Sequence, residues 1–296
     1  GFALLAYAGN RLVMHAANIG IKLKWSHTLI GVLIVGLGTS APEILTALIS
    51  AVSGATDLAL GNIVGSNIAN IGLILGLSLV LSTQKGGHIG RFQLSSLVGT
   101  SALFALVVIP FYGQVDLWVG LVCLAVLATY MVITIKRNDD VECDTAQIVD
   151  TAPLWKEVLF TLLSLGGLIM GADLLVSGAV TIASGMGVSE RVIGITVVAV
   201  GTSLPELAAA IAAIRQKQLE MVIGNVVGSN LLNLLAAAGA SGLFTILPTG
   251  TLVTDGLVML AFVVIVAMLR LTPSYGRWIG ALSLTAYGFY VYQLIF

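Results

Sequence analysis

Two short stretches of this sequence each occur twice, and they decide its fold. Residues 38–43 read Gly-Thr-Ser-Ala-Pro-Glu, and residues 201–206 read Gly-Thr-Ser-Leu-Pro-Glu. The same shift of 163 positions aligns Gly-Asn-Ile-Val-Gly-Ser-Asn at 61–67 with Gly-Asn-Val-Val-Gly-Ser-Asn at 224–230. Apolar helices resemble each other by chance in Leu and Val, but not in Pro, Glu and Asn. The chain therefore contains an internal repeat.

Ten apolar stretches are long enough to cross a bilayer as helices, since about 20 apolar residues span its hydrocarbon core. They lie at about 2–21, 28–53, 58–82, 92–112, 116–136, 156–183, 190–214, 219–246, 252–270 and 276–295. A polar segment separates five from five, which predicts a first half at 1–136, a linker at 137–155 and a second half at 156–296. Because five is odd, the second half enters the membrane from the opposite side. The predicted fold is an all-α integral membrane protein of about ten transmembrane helices, arranged as two inverted five-helix repeats.

The composition supports a membrane protein. Of 296 residues, 58% are hydrophobic and 9% are charged, whereas soluble domains carry about 25% charged residues. The expected partner is the lipid bilayer, and no obligatory protein partner is indicated. A net charge of −1 excludes a basic surface for nucleic acid. Cys123 and Cys143 are the only cysteines, so a disulfide framework or a cysteine metal site is not expected.

The basic residues predict the orientation in the membrane. With ten spans, every Lys and Arg except Arg11 and Arg191 falls on the side of the linker. The positive-inside rule then places the linker in the cytoplasm and both termini outside. The compact linker favours a prokaryotic plasma membrane. Because the first residue is Gly1, we expect the natural N-terminus to be missing or processed.

Glu43 and Glu206 lie at matching places inside apolar spans. An acid within the membrane is costly and is a functional hypothesis by default. A structural interpretation competes, because Ser40 and Ser203 with the following Pro and Glu fit an N-terminal capping box. That interpretation explains a break in each span, where Pro frees a backbone carbonyl. It does not explain why two acids lie at the centre of the membrane, so we favour a functional role.

The second motif places amides and hydroxyls on the next span of each half. Asn62, Ser66 and Asn70 recur every four residues, and their copies form the same polar stripe. Two interpretations stay open, because Gly-x-x-x-Gly spacing and Asn or Ser side chains also serve as helix-packing motifs. Polar groups at this depth usually line a pathway, so we expect ion ligands among Ser66, Asn70, Ser229 and Asn233.

The predicted ligands are all hard oxygens. Carboxylates, hydroxyls, amide oxygens and freed carbonyls suit calcium, which takes 6–8 oxygen ligands, and disfavour zinc or copper. His15, His27 and His88 lie near span ends and are expected at the membrane interface. Two glutamates neutralise one calcium ion, and the same groups could instead hold several sodium ions or protons. Mutual exclusion at one site is the physical basis of exchange.

At these motifs the sequence resembles the calcium/cation antiporter superfamily, and within it the prokaryotic sodium/calcium exchangers. The resemblance implies calcium ligands at Glu43, Glu206 and the main-chain oxygens of Thr39 and Thr202. It implies sodium sites drawing on Gly36, Ser40, Ser66, Ala199, Ser203 and Ser229, with Asn70 also matching the family pattern. It also implies that spans 1 and 6 slide across the site. Asn233 departs from the pattern, because several prokaryotic exchangers carry Asp there.

The first hypothesis is therefore a secondary active antiporter that exchanges calcium for sodium by alternating access. The closest alternative is proton/calcium (or other cation) exchange on the same fold. A cation channel is less expected, because channels usually assemble a pore from several subunits. An intramembrane protease is disfavoured, because no Ser-His pair or His zinc motif lies near the acids. The protein is expected to be no enzyme and to need no cofactor.

Overall fold

The computed structural model describes residues 1–84, 89–137, 152–186 and 201–295. In the first half, the α-helices are α1 Phe2–Leu23, α2 His27–Ile30, α3 Leu37–Thr39, α4 Ala41–Val52, α5 Thr56–Ala69, α6 Gly76–Leu81, α7 Arg91–Leu103 and α8 Leu117–Lys136. Three π-helical stretches, Gly31–Gly36, Asn70–Leu75 and Phe104–Tyr112, connect or extend them.

The second half repeats this pattern. Its α-helices are α9 Leu154–Gly185, α10 Leu204–Arg215, α11 Leu219–Leu232, α12 Ala238–Phe244, α13 Val253–Leu271 and α14 Gly276–Ile295. A π-helical stretch, Asn233–Ala237, joins α11 to α12, and short 3-10 helices form at Gly250–Leu252 and Pro273–Tyr275. Most of the predicted linker and the start of the seventh predicted span, with Arg191, lie outside the described residues. The division into two halves and a linker stays a prediction.

The described helices are consistent with the predicted fold of about ten spans. Six are long and apolar enough to cross a membrane by themselves, and a seventh is the pair His27–Thr39 and Ala41–Val52, bent by 43°. Pro42 explains this bend, because it cannot donate a backbone hydrogen bond within the helix. The helices therefore continue through the predicted spans and change direction at the first Ser-Ala-Pro-Glu motif.

Equivalent helices of the two halves run antiparallel against each other. Near one end, a Cβ on Gly1 of α1 would lie 2.8 Å from Leu175 of α9. Near the other end, His15 of α1 contacts Glu157 of α9. Since α1 and α9 are the first helices of their halves, this crossing demonstrates the inverted arrangement directly.

His15 of the first half contacts an acid of the second half. Its Nδ1 is 2.6 Å from Glu157 Oε2, and its ring stacks on Phe160 with centroids 5.0 Å apart. The Asn18 side chain donates to Glu157 Oε1 at 3.2 Å, so α1 engages both carboxylate oxygens. The sequence does not indicate this contact, because the partner acid is 142 positions away in the chain. The interfacial position of His15 stays a prediction. Of the three histidines expected at the membrane interface, His88 lies outside the described residues.

The two motif-bearing segments form the centre of the molecule. In the apolar stretches of Leu219–Phe244 and Thr56–Leu81, 94% and 72% of the residues are buried. The outer helices α8 and α9 are only 22% and 28% buried by the same measure, and their exposed residues are mainly apolar. Such a surface is stable only against lipid.

The ends of the segments form two faces. On one face, the Arg277 guanidinium donates to Ser82 O, Arg270 donates to Ile89 O, and the Leu219 N–H donates to Gln84 Oε1. These basic residues belong to the set that predicts the cytoplasmic side. On the opposite face, strands β1 Gln114–Val115 and β2 Leu247–Pro248 pair antiparallel and link the two halves.

Candidate ion-binding site

Glu43 and Glu206 meet at the centre of the protein. Each lies in the first turn of a helix, α4 or α10, directly after the Pro of its motif. Their exposed fractions are 0% and 1%, and each carboxyl group lies within 3.5 Å of the motif serine of the other repeat. The Oε2 atom of each has no hydrogen-bond partner in the described part of the chain. Both acids are therefore buried, adjacent and incompletely satisfied.

The two motif serines connect the halves. Ser40 Oγ donates to Glu206 Oε1 at 3.3 Å, and Ser203 Oγ lies 3.5 Å from Glu43 Oε1. Ser40 and Ser203 occupy the N-cap positions of α4 and α10 as predicted, but neither side chain bonds to its own helix, so the capping-box hydrogen bond is absent. The glutamate of the other repeat attracts each hydroxyl instead, because a carboxylate is a stronger acceptor and the helix break brings it within reach.

Amides of the second motif surround the same region. Asn62 Nδ2 donates to the main-chain oxygen of Glu43 at 2.9 Å. Thr39 Oγ1 donates to Val35 O at 3.0 Å and lies 3.4 Å from Asn225 Oδ1. A Cβ on Gly36 would lie 3.4 Å from Asn225 O, so this glycine lies directly against α11. The predicted ligand Ala199 lies outside the described residues.

The remaining predicted ligands lie one and two turns further along, on α5 and α11 and at the start of the π-helical stretches that follow them. Ser66, Ser229, Asn70 and Asn233 are all buried. Asn70 Nδ2 donates to Asn230 Oδ1 at 3.0 Å, whereas Ser229 Oγ and both polar atoms of Asn233 lack partners among the described residues. Asn70 therefore acts as a bond between helices in this structure, and the Asn233 amide is available.

The two sides of the site differ in access. On one side, a cavity of about 210 Å³ reaches the motif residues Pro42, Thr202 and Pro205, and Asp173 and Val176 of α9 also line it. On the other side, Val13 of α1 packs with α10 and α11 and leaves no room for a water molecule. Asn10 there accepts two hydrogen bonds from the Gln216 side chain, at 3.1 and 2.9 Å. Among the described residues, those on the Asp173 side therefore leave a cavity beside the motif, and those on the Val13 side leave none.

The site offers oxygen ligands with two negative charges. Within the described ranges, no three His, Cys, Asp or Glu side chains converge, so the charge comes from Glu43 and Glu206. Sequence reasoning missed Asn67 and Asn230, which are fully buried between the halves, and Asp173, which lines the cavity. The repeated Gly-Ser-Asn motif was the available signal for the two asparagines, since buried amides require partners.

The chain is similar to one known protein family along almost its whole length. The family model described as sodium/calcium exchanger protein matches residues 1–136 and 156–296. The chain belongs to this family. The match covers both inverted repeats and every motif described above.

Named relatives of this exchanger family agree with the assignment. An uncharacterized membrane protein of Methanocaldococcus jannaschii is 34% identical over 97% of this chain and 93% of its own length. A putative antiporter, CaxA, of Alkalimonas amylolytica is 34% identical over 87% of this chain and 80% of its own length. The sodium/calcium exchanger MaX1 of Methanosarcina acetivorans is 29% identical, with 82% and 81% covered.

Solved structures of the sodium-calcium exchanger NCX_Mj have the same fold. One, soaked with Na⁺ and Sr²⁺, superposes with a TM-score of 0.86 at 30% identity and covers 98% of this chain and 95% of that one. This exchanger-family chain is therefore a multi-pass integral membrane protein. Its family consists of membrane transporters for cations, including calcium, and is not an enzyme class.

Proposed function

We propose that the chain is a secondary active antiporter that exports calcium in exchange for sodium. In this proposal calcium is bound by Glu43 and Glu206 with the main-chain oxygens of Thr39 and Thr202. Sodium is bound at sites that draw on the neighbouring small and polar residues: Gly36, Ser40, Ser66, Asn70, Ala199, Ser203, Ser229 and Asn233. The linker lies in the cytoplasm and both termini lie outside.

The adjacent buried glutamates carry this proposal. Two like charges at the centre of a membrane protein repel each other and lack solvation, so they require compensating positive charge. One calcium ion supplies two charges, and calcium prefers carboxylate, carbonyl and hydroxyl oxygens. The partnerless Oε2 atoms of both acids are available as ligands.

Competition between the two ions supports coupled exchange. Sodium uses the same oxygen ligands, and each Glu already shares a hydroxyl with the other repeat. A site holding two negative charges is neutral with one calcium ion, so added sodium ions must displace it. Binding of one ion therefore excludes the other, which prevents both from crossing together.

The unequal access supports alternating access. The side lined by Val176 is open to a cavity, whereas the side lined by Val13 is closely packed. A carrier needs a barrier on one side of its site while the other side is open. Under the predicted orientation the open side faces outward, where sodium enters and calcium leaves.

Flux in proteoliposomes tests the proposal. An outward sodium gradient should drive uptake of radioactive calcium, and Glu43→Gln or Glu206→Gln should reduce this uptake to the level of protein-free liposomes. Asp57→Asn is the matched control, because Asp57 is an exposed acid at the start of α5 and should keep the uptake. Normal uptake in either Gln variant would show that the site assignment is wrong.

The same assay separates sodium from protons. Sodium is replaced by an impermeant cation while a pH gradient is imposed across the membrane. Uptake driven by the pH gradient alone would favour the proton alternative. The amide at Asn233 argues for sodium, because it cannot release a proton as an aspartate could at that position.

A further inference from the structure

Four buried asparagines on the pseudo-symmetry axis bond asymmetrically. Asn70 Nδ2 donates to Asn230 Oδ1 at 3.0 Å, Asn230 Nδ2 donates to Asn67 O at 3.2 Å, and Asn67 Nδ2 donates to Ile63 O at 2.7 Å. Under the repeat shift, Asn67 is equivalent to Asn230 and Asn70 to Asn233. The symmetric copy of each of these bonds is not formed.

The partnerless atoms correspond to the missing bonds. The symmetric copy of Asn70→Asn230 is a bond from Asn233 Nδ2 to Asn67 Oδ1. Both of these atoms are buried, and neither has a partner in the part of the chain that the structure describes. The four residues are 0–1% exposed, so water does not readily compensate them. The donor and acceptor of the absent bond are therefore both available.

We propose that Asn67, Asn70, Asn230 and Asn233 form a two-state hydrogen-bond switch whose two arrangements accompany the two access states. In the second arrangement Asn233 donates to Asn67 Oδ1, Asn67 donates to Asn230 O, and Asn230 donates to Val226 O. Every acceptor of both arrangements lies on α5 or α11, so the exchange changes hydrogen-bond partners between the same two helices.

The two arrangements are balanced in energy. Each contains three neutral hydrogen bonds of the same chemical types, one between side chains and two to main-chain oxygens. A carrier must occupy both access states, so an element with two nearly equal states is suited to that task. A stronger or charged pair at these positions would hold one state.

Other features break the symmetry together with these amides. Asn62 Nδ2 bonds to Glu43 O, whereas its copy, Asn225 Nδ2, lacks a partner among the described residues. Val176 lines the open cavity, whereas its copy Val13 is fully buried. The opposite state of an inverted repeat exchanges the conformations of the halves. The amide exchange therefore belongs to the same transition, and this inference rests on the proposed function.

Matched alanine variants test the switch. Asn67→Ala removes one bond from the present arrangement and two from the second, and Asn230→Ala does the reverse. Each variant should shift the ratio of the two states about threefold, in opposite directions, from one interhelical hydrogen bond in a membrane. The double variant removes three bonds from both arrangements and should restore the wild-type ratio.

Labelling of single cysteines measures that ratio without transport. Val13→Cys and Val176→Cys are made separately in a chain lacking Cys123 and Cys143, and reacted with a charged maleimide in sodium-free buffer with a calcium chelator. Asn230→Ala should raise the labelling rate at position 13, and Asn67→Ala should lower it, with the reverse order at position 176. Shifts in the same direction, or none, would overturn the proposal.

A second pair of variants tests the switch if Asn67→Ala or Asn230→Ala does not fold. Asn70→Ala removes a bond only from the present arrangement, and Asn233→Ala only from the second, so their labelling rates should again move in opposite directions. If the proposed function is wrong but the switch exists, calcium flux would be absent while the labelling rates of the two variants still moved in opposite directions. Flux with parallel labelling shifts would refute the switch alone.

Discussion

At the scale of single residues, the site depends on contacts that cross between the repeats. Ser40 and Ser203 each approach the glutamate of the other half, at 3.3 and 3.5 Å. Each hydroxyl helps to stabilise a buried carboxylate in its ionised form, which is the form that binds calcium. The two serines therefore influence ion affinity through the acids as well as through their own oxygens.

Ser40→Ala and Ser203→Ala should each weaken calcium binding about tenfold, because a hydrogen bond to a charged group contributes about 1.5 kcal/mol. The measurement is the calcium concentration that gives half-maximal uptake in proteoliposomes. Ser53→Ala is the control, because its hydroxyl donates to Ser50 O within its own helix. Unchanged calcium dependence in both variants would show that these hydroxyls do not support the acids.

At the scale of elements, close helix packing holds the site together. The segment His27–Gly36 lies directly on α11, where a Cβ on Gly228 would be 2.8 Å from Val32 Cα. Gly31 is equally restricted, since a Cβ there would meet the Met221 and Asn225 backbone. The helix-packing interpretation of the second Gly-x-x-x-Gly is thus confirmed for Gly228, and it coexists with the polar stripe on another face of α11.

Gly31→Ala should separate these helices and lower thermal stability by about 1–3 kcal/mol, the usual cost of overpacking a core. Calcium uptake should fall as well, because Asn225 and Ser229 lie on the displaced helix. Thermal unfolding of the purified protein measures the stability change. Gly99→Ala on α7 is the control, since a Cβ there meets no described atom within 4 Å. Equal stability of both variants would contradict the close packing.

At the scale of the whole molecule, topology and charge predict the orientation. Ala55 lies exposed between α4 and α5 on the face of strands β1 and β2, and Ser274 lies exposed between α13 and α14 on the face rich in Lys and Arg. An excess of basic residues marks the cytoplasmic side of a membrane protein.

An impermeant maleimide applied to intact cells should therefore label Ala55→Cys and not Ser274→Cys, in a chain without other cysteines. Permeabilised cells should show labelling at both positions, which controls for reactivity. The reverse pattern would mean that the protein is inserted in the opposite orientation and that the open cavity faces the cytoplasm.

The architecture and the central acids could be predicted from the amino-acid sequence alone. Hydrophobic length predicted the described segments to within a few residues, and a repeat of Pro, Glu and Asn showed that the halves are copies. An odd number of spans in each half made the inversion necessary. Glu43 and Glu206 could be recognised because acids are rare within apolar spans, where their burial is costly.

The contacts between side chains of the two halves could not be predicted in this way, because they depend on how the helices pack. Ser40 binds Glu206 instead of its own helix, and His15 binds Glu157 between helices, because in each case the partner lies more than 140 positions away. The amide chain from Asn70 to Asn67 and the difference between the sides of Val13 and Val176 are also tertiary. Two repeats of similar sequence predict two halves of the same conformation. The halves differ in the structure because helix packing selects one of two asymmetric arrangements that have similar energies.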